Sequence, residues 1–81
     1  MEIFTLGLDI GTSGCKAVVF DGSGEQQATA SREYAVHVPQ PGWAELDSDE
    51  VVDACFRVIE DCCRRVPAGS VRAIGISSQG E

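Results

Sequence analysis

Apolar residues near the start of the chain alternate with small or polar ones, which is the period-two pattern of a β-strand. This alternation predicts a first strand at Phe4–Ile10, and a second apolar run predicts another at Ala17–Phe20. The turn signal Asp21-Gly22-Ser23-Gly24 follows the second run. A long, weakly alternating run from Glu25 to Val38 predicts a third strand that lies at a sheet edge or is solvated on one face. Short links between these runs predict an antiparallel meander.

The middle of the chain changes from the strand period to the helix period. Pro39–Gly42 breaks regular structure, and Trp43–Leu46 reads as an irregular segment. The acidic run Asp47–Glu50 predicts the start of a helix with Asp47 as its N-cap. The apolar positions that follow predict a broad helix face packed flat on a sheet. These positions are Val51, Val52, Cys55, Phe56, Val58, Ile59, Cys62 and Cys63.

The predicted helix is followed by one more strand. Pro67 and Gly69 end the helix, and Val71–Ser77 predicts the fourth strand. On the solvated side of the helix, Asp53–Arg57 and Glu60–Arg64 are i,i+4 pairs of opposite charge. A strand–helix–strand crossover normally returns parallel to its neighbour. The sequence therefore predicts an α/β chain of order β-β-β-α-β with a mixed sheet.

Length and charge limit the possible functions. The chain has 81 residues and forms at most one small domain. A single helix leaves one face of the sheet bare, so we expect this face to be covered by self-association or by a partner chain. Thirteen acidic and six basic residues give a net charge of −7, which disfavours a nucleic acid partner. No apolar stretch is long enough to span a membrane, and the N-terminus lacks a signal-peptide pattern. We expect a cytoplasmic protein without a membrane partner.

The four cysteines and the single histidine do not form a recognisable site in the sequence. No Cys-x-x-Cys pair is present, and Cys62 and Cys63 are adjacent, which is not the spacing of zinc-finger ligands. We interpret the cysteines as small buried hydrophobes or surface thiols of a reducing compartment. His37 stands between two valines in a strand-like run and is interpreted as a residue on the polar side of a strand.

The link between the first two strands carries the residues with the most chemistry. Gly11, Thr12, Ser13 and Gly14 offer backbone amides and hydroxyl groups that suit phosphate oxygens. Asp9 precedes the link and can hold Mg²⁺ directly or through water. Lys16 follows it and can neutralise charge on a transferred group. On composition alone, a plain hairpin turn with capping hydroxyls is the favoured explanation of the link.

Three segments together give the chain a specific resemblance. Asp9 to Asp21 resembles the first phosphate-binding segment of the FGGY carbohydrate kinases, members of the actin, Hsp70 and hexokinase superfamily. Pro41 to Asp47 is similar to the stretch before that family's first helix, and Val71 to Glu81 is similar to its fourth strand and following loop. The resemblance covers nearly the whole chain but only the opening of the family's first domain. It implies a ribonuclease H-like, actin-like ATPase half-domain at residues 1–81.

The resemblance also implies a reaction and roles for residues. The reaction is transfer of the γ-phosphoryl group of ATP, with Mg²⁺, to a hydroxyl of a sugar, polyol or sugar acid. Asp9 and Lys16 would be catalytic, and Gly11 to Gly14 would hold phosphates. Gln79 and Glu81 would contact the substrate. Gly80 stands where glycerol kinases have Arg, and the Met-His of xylulokinases is absent, so neither glycerol nor xylulose is specifically supported.

Several elements of such a kinase lie outside these residues. In the family the general base and the adenosine site are downstream, so the remainder of the kinase chain is an implied partner and the fragment alone is expected to be inactive. Two alternatives stay open at this point. One is another actin-like ATPase, of the chaperone or dehydratase-activator type; the other is a non-enzymatic acidic scaffold module.

Overall fold

Four strands and one helix form the main body of the protein. The computed structural model describes residues 3–34, 36–37, 45–46 and 48–78. In chain order the elements are β1 (Phe4–Ile10), β2 (Gly14–Phe20), β3 (Gln26–Glu33), β4 (Val36–His37), β5 (Glu45–Leu46), α1 (Ser48–Cys63) and β6 (Val71–Ser78). The main sheet has the order β3-β2-β1-β6. β1, β2 and β3 are antiparallel neighbours and β6 runs parallel to β1, which confirms the predicted meander and crossover.

β2 begins earlier than predicted. Its first residue is Gly14 rather than Ala17, because Gly14 pairs with Glu33 and Lys16 pairs with Ser31 across the ladder to β3. Gly14 has no side chain, and the charged side chain of Lys16 points away from the sheet, so neither residue prevents backbone pairing. The link to β1 is therefore shorter than the apolar pattern indicates.

β3 ends earlier than predicted. The sequence predicts a strand that continues to Val38, whereas β3 stops at Glu33. Glu33 pairs with Gly14, the first residue of β2, so β2 offers no further backbone to pair with. The chain leaves the sheet at this point. β3 lies at the sheet edge, as predicted.

A second, small sheet accounts for part of the segment before the helix. β4 and β5 pair antiparallel, with Val36 opposite Leu46 and His37 opposite Glu45. The prediction of an irregular segment is therefore wrong for Glu45 and Leu46, because these residues find a strand partner that lies nearly ten positions upstream. The predicted N-cap Asp47 lies outside the described residues, as do Trp43 and Ala44.

The core lies between α1 and one face of the main sheet. α1 contacts chiefly β2 and β3 and touches β1 only at the margin. Alternate strand residues point toward the helix and are buried. The buried apolar residues are Phe4, Leu6, Leu8, Cys15, Ala17, Val19, Ala28, Tyr34, Ala54, Cys55, Val58 and Cys62.

The apolar face of α1 is narrower than predicted. Val52 and Phe56 are 52% and 67% exposed, although the helical pattern places them beside the buried stripe. The helix lies over β2 and β3, so the side of α1 that carries these two residues has no sheet beneath it among the described residues. The two predicted ion pairs are present: Arg57 Nε lies 3.0 Å from Asp53 Oδ2, and the Arg64–Glu60 pair measures 3.2 Å.

The two faces of the sheet are covered unequally. On the helix side, Ile74 and Ile76 are in register with Leu6 and Leu8, yet they are 51% and 67% exposed because α1 does not reach β6. The opposite face carries a cavity of about 490 Å³ lined by Val18, Phe20 and neighbouring residues. No described helix packs on that face, as expected for a sheet with one helix. Among the described residues, no helix combines the length and apolar character that a bilayer crossing requires.

Candidate phosphate-binding site

The link between β1 and β2 contains only Gly11, Thr12 and Ser13. The Gly11 amide donates a hydrogen bond of 2.8 Å to the Gly14 carbonyl, which closes the turn. Thr12 and Ser13 are exposed at its tip. Within the part of the chain that the structure describes, no hydrogen bond engages the amides of these two residues. The link therefore presents two amides and two hydroxyl groups to solvent.

Close backbone packing explains the glycines at the ends of the link. A Cβ added to Gly14 would lie 2.7 Å from the Arg32 carbonyl oxygen on β3, well inside van der Waals contact. A Cβ added to Gly11 would lie 3.3 Å from the Gly14 carbonyl oxygen. A side chain at Gly14 would therefore push β2 and β3 apart, whereas one at Gly11 would require only a small shift within the turn.

Strand register places Asp9 and Lys16 opposite each other. Asp9 on β1 pairs with Lys16 on β2, so both side chains leave the sheet on the same face. That face is the one without the helix, and both residues are exposed. Both line the 490 Å³ cavity on the bare face and a second cavity of about 390 Å³ around the link. A carboxylate and an ammonium group therefore stand side by side next to the exposed amides.

Tyr34 supports the link from the opposite side, and the sequence analysis did not identify it. Its hydroxyl lies against the carbonyls of Gly11 and Gly14, at 2.9 Å from the latter, and its backbone amide donates 3.0 Å to the Ser13 carbonyl. Tyr34 is 6% exposed. The only signal in the sequence is an aromatic residue in an otherwise polar run, and nothing local connects it to a turn more than 20 residues away.

Further residues around the link were also missed by the sequence analysis. Ser31, Arg32 and Glu33 at the end of β3 line the 390 Å³ cavity together with the link. Their position follows from the β2–β3 register, which a strand ending at Val38 does not predict. Arg32 pairs with the buried Cys15, so its side chain leaves β3 on the helix side of the sheet, opposite to Lys16.

Cys15 is a buried residue next to the link. Burial, with a contribution from the neighbouring Cys55, raises the pKa of the Cys15 thiol above its ordinary value. The thiol is therefore protonated near neutral pH. All four cysteines are free; Cys15, Cys55 and Cys62 are buried and Cys63 is half-buried, which agrees with their interpretation as small buried hydrophobes. Among the described residues no cluster of three or more potential metal-ligating side chains occurs. The predicted substrate residues Gln79 and Glu81 lie outside the described residues.

The fold and the link together define a class of protein. Three antiparallel strands, a crossover helix and a parallel fourth strand, with a Gly-rich link between the first two strands, form a mixed α/β unit of the actin-like ATPase fold. Residues 4–81 match the family model for the N-terminal domain of the FGGY family of carbohydrate kinases. The chain belongs to the FGGY family of carbohydrate kinases.

Individual relatives agree with this assignment. The glycerol kinase of Thermococcus kodakarensis is 36% identical over 83 aligned positions, which cover 100% of this chain and 17% of that protein. The gluconate kinase structure from Lactobacillus acidophilus superimposes with a TM-score of 0.92 and 32% identity, covering 98% of this chain and 16% of that one. The structure of a ligand-bound xylulose kinase from the same organism superimposes with a TM-score of 0.89 and 33% identity, covering 94% of this chain and 15% of that one. The chain thus spans about one sixth of the length of these relatives.

Proposed function

We propose that the chain is the N-terminal part of an ATP-dependent carbohydrate kinase, which transfers the γ-phosphoryl group of ATP to a hydroxyl of a small substrate. The observation that carries the proposal is the arrangement at the link. Exposed amides of Thr12 and Ser13 stand beside Asp9 and Lys16, which face each other on the open side of the sheet. Membership of the FGGY family supports the same reaction.

The link would bind the phosphates of ATP. Gly11, Thr12, Ser13 and Gly14 would supply backbone and hydroxyl donors to phosphate oxygens, and the strand pairing on either side fixes their position. Such donors stabilise charge most effectively when they are held in place before the ligand arrives. Lys16 would stand next to the transferred group and offset the negative charge that develops there.

Asp9 fits a magnesium ion of the nucleotide complex. Mg²⁺ in phosphoryl-transfer sites is held by one or two carboxylates, several waters and the phosphates themselves, so a single exposed carboxylate beside the link is an adequate protein ligand. When bound, the ion would neutralise charge on the phosphate oxygens. Asp9 and Lys16 are the residues to which we assign catalytic roles.

The acceptor would be a sugar, polyol or sugar acid. The relatives include kinases named for glycerol, xylulose and gluconate, so the family name alone does not choose among these compounds. We assign substrate contacts to Gln79 and Glu81, because Glu81 can accept short, charge-assisted hydrogen bonds from neighbouring hydroxyls. We expect the chain by itself to be inactive, since its relatives are about six times longer. We place the reaction in the cytoplasm, where the free cysteines stay reduced.

Replacing Asp9 in the full-length protein tests this function. Asp9→Asn keeps the size of the side chain but removes the charge, and we expect turnover to fall by about a hundredfold or more. ADP release would be measured with panels of polyols, ketoses and sugar acids. Asp53→Asn is the matched control, because it removes an exposed carboxylate from α1 on the helix side of the sheet. Normal turnover by Asp9→Asn, or equal losses in both variants, would exclude Asp9 from the mechanism.

A further inference from the structure

Tyr34 makes an unusual set of contacts with the phosphate link. Its hydroxyl contacts the carbonyl oxygens of Gly11 and Gly14, and its backbone amide donates to the carbonyl of Ser13. One residue from the end of β3 therefore holds three carbonyls of a turn that lies 20 or more positions upstream. Within the described part of the chain, no other side chain makes a hydrogen bond to the link.

Because the peptide group is planar, these contacts determine the direction in which the amides of the link point. In a planar trans peptide the carbonyl and the following amide point in opposite directions. The Gly11 carbonyl and the Thr12 amide belong to the same peptide group. When Tyr34 holds the Gly11 oxygen beneath the link, the Thr12 amide must point away from Tyr34, and among the described residues it has no hydrogen-bond partner there.

The environment of the hydroxyl keeps it a donor. Tyr34 is almost fully buried, and its pKa is raised first by this burial and then by the nearby Cys15, Cys55 and Asp9. The phenol therefore stays protonated through the neutral range, and its single proton is available to the two carbonyls. A buried phenol without these carbonyls would leave a polar group unsatisfied, which explains why the side chain stays in this position.

We propose that Tyr34 is a positioning residue for phosphate binding: its hydroxyl fixes the Gly11 and Gly14 carbonyls and thereby aims the Thr12 amide at an anionic ligand. The orientation itself depends only on the hydrogen bonds of the link. The nature of the ligand, the phosphates of ATP, rests on the proposed function. Loss of the hydroxyl frees the Gly11–Thr12 peptide to rotate, so the amide must be reoriented each time a phosphate binds.

Tyr34→Phe removes only the hydroxyl and is the first test. In the full-length protein we expect the KM for Mg·ATP to rise about three- to tenfold, the usual cost of one lost hydrogen bond, with a smaller change in the KM for the acceptor. Val58→Ala is the matched control, because it removes buried volume from α1 and takes no part in the hydrogen bonds of the link. A rise in the KM for Mg·ATP that is equal in both variants, or absent from Tyr34→Phe, would overturn the proposal.

Hydrogen exchange separates this inference from the proposed function. Without any nucleotide, the Gly11 amide, which donates a hydrogen bond to the Gly14 carbonyl, should exchange several-fold faster in Tyr34→Phe than in the parent and in Val58→Ala. Unchanged exchange would overturn the positioning role even if the protein is a kinase. If the parent protein binds no Mg·ATP but the Tyr34→Phe variant exchanges faster at the link, the proposed function is overturned and the positioning role of Tyr34 is not.

A fluorinated tyrosine at position 34 covers the case in which Tyr34→Phe does not fold. Fluorination acidifies the phenol but keeps its shape. We expect the KM for Mg·ATP to rise at a lower pH than in the parent, because an ionised phenol cannot donate to the Gly11 and Gly14 carbonyls. Identical pH profiles for the two proteins would contradict the proposal.

Discussion

At the residue scale, close approach of backbones decides which side chains are allowed around the link. The Arg32 carbonyl oxygen leaves no room for a Cβ at Gly14, and Tyr34 occupies the space beneath the turn. Gly14 and Tyr34 therefore act together. Gly14 allows β2 and β3 to pair as far as the edge of the link, and Tyr34 holds the carbonyl groups of the link through hydrogen bonds. The exposed amides of Thr12 and Ser13 follow from both.

Gly14→Ala should destabilise the protein. The added Cβ would lie 2.7 Å from a backbone oxygen, so β2 and β3 must separate locally, and we expect a loss of about 1–3 kcal/mol in the free energy of unfolding. Gly22→Ala is the matched control, because nothing lies within 4 Å of its Cβ and its φ is not positive. That variant should be neutral or slightly stabilising. Urea denaturation that gives equal stability for the two variants would contradict the packing at Gly14.

At the element scale, the turn between β2 and β3 is organised by one carboxylate. Asp21 accepts hydrogen bonds from the Ser23 amide and hydroxyl, the Glu25 amide and the Gln27 side chain, at 2.6–2.9 Å. These hydrogen bonds lower the pKa of Asp21 from 3.8 to about 2, and the bond from the Ser23 hydroxyl makes the largest contribution. The ionised carboxylate is therefore favoured in the folded protein, and this links the stability of the turn to pH.

The stability contributed by Asp21 should be lost in acid. Because its pKa is lower in the folded protein, the contribution is fully present above pH 3.8 and declines as the pH falls toward 2. Asp21→Asn should lower the urea midpoint at pH 6 and flatten its decline between pH 4 and pH 2. Asp53→Asn controls for the change in net charge. An unchanged acid slope in Asp21→Asn would show that the turn does not depend on the ionised carboxylate.

Two valines on α1 test how the helix sits on the sheet. Val58 is fully buried, whereas Val52 is 52% exposed. Val58→Ala removes buried methyl groups and should cost about 2 kcal/mol in the free energy of unfolding. Val52→Ala makes the same chemical change and should shift it by less than about 0.5 kcal/mol. Equal losses would mean that α1 buries the broader face that the sequence alone predicts.

The order of the main-sheet strands and the helix could be predicted from the sequence, whereas their ends and the small β4–β5 sheet could not. Alternation at Phe4–Ile10 and the helical period after Ser48 are local signals, so the meander, the helix and the parallel strand were predicted correctly. The exposure of Val52 and Phe56 depends on where α1 lies across the sheet, which is set by tertiary contacts with β2 and β3.

The site shows the same division between local and distant signals. Asp9 and Lys16 could be identified as neighbours, because strands joined by a short link must pair close to it. Tyr34 could not be connected to the link, because its hydrogen bonds span 20 and 23 positions of sequence. The end of β3 at Glu33, on which the place of Tyr34 depends, is fixed by where β2 begins.

At the scale of the whole molecule, apolar surface remains uncovered on both faces of the sheet. Ile74 and Ile76 are exposed beside α1, Phe56 is exposed on α1 itself, and the opposite face carries the cavity next to Val18 and Phe20. The longer relatives have about five times as much additional chain that can pack against such surfaces. For the 81-residue chain alone, uncovered apolar area favours association between copies.

The isolated chain should therefore self-associate as its concentration rises. Sedimentation velocity should show a growing fraction of dimers and larger species, because association removes apolar side chains from water. Phe56→Lys combined with Ile76→Lys should reduce this fraction, whereas Gln26→Lys, which adds a charge at an exposed position of β3, should reduce it less. A monomer at every concentration would contradict the expectation.

The most direct test of the phosphate site is a crystal structure of the full-length protein with Mg²⁺ and a non-hydrolysable ATP analogue. We predict phosphate oxygens about 3 Å from the amides of Thr12 and Ser13, with Asp9 on the metal or on one of its waters, and with the Tyr34 hydroxyl still on the Gly11 carbonyl. A triphosphate bound elsewhere, with the link between β1 and β2 facing only solvent, would contradict the account.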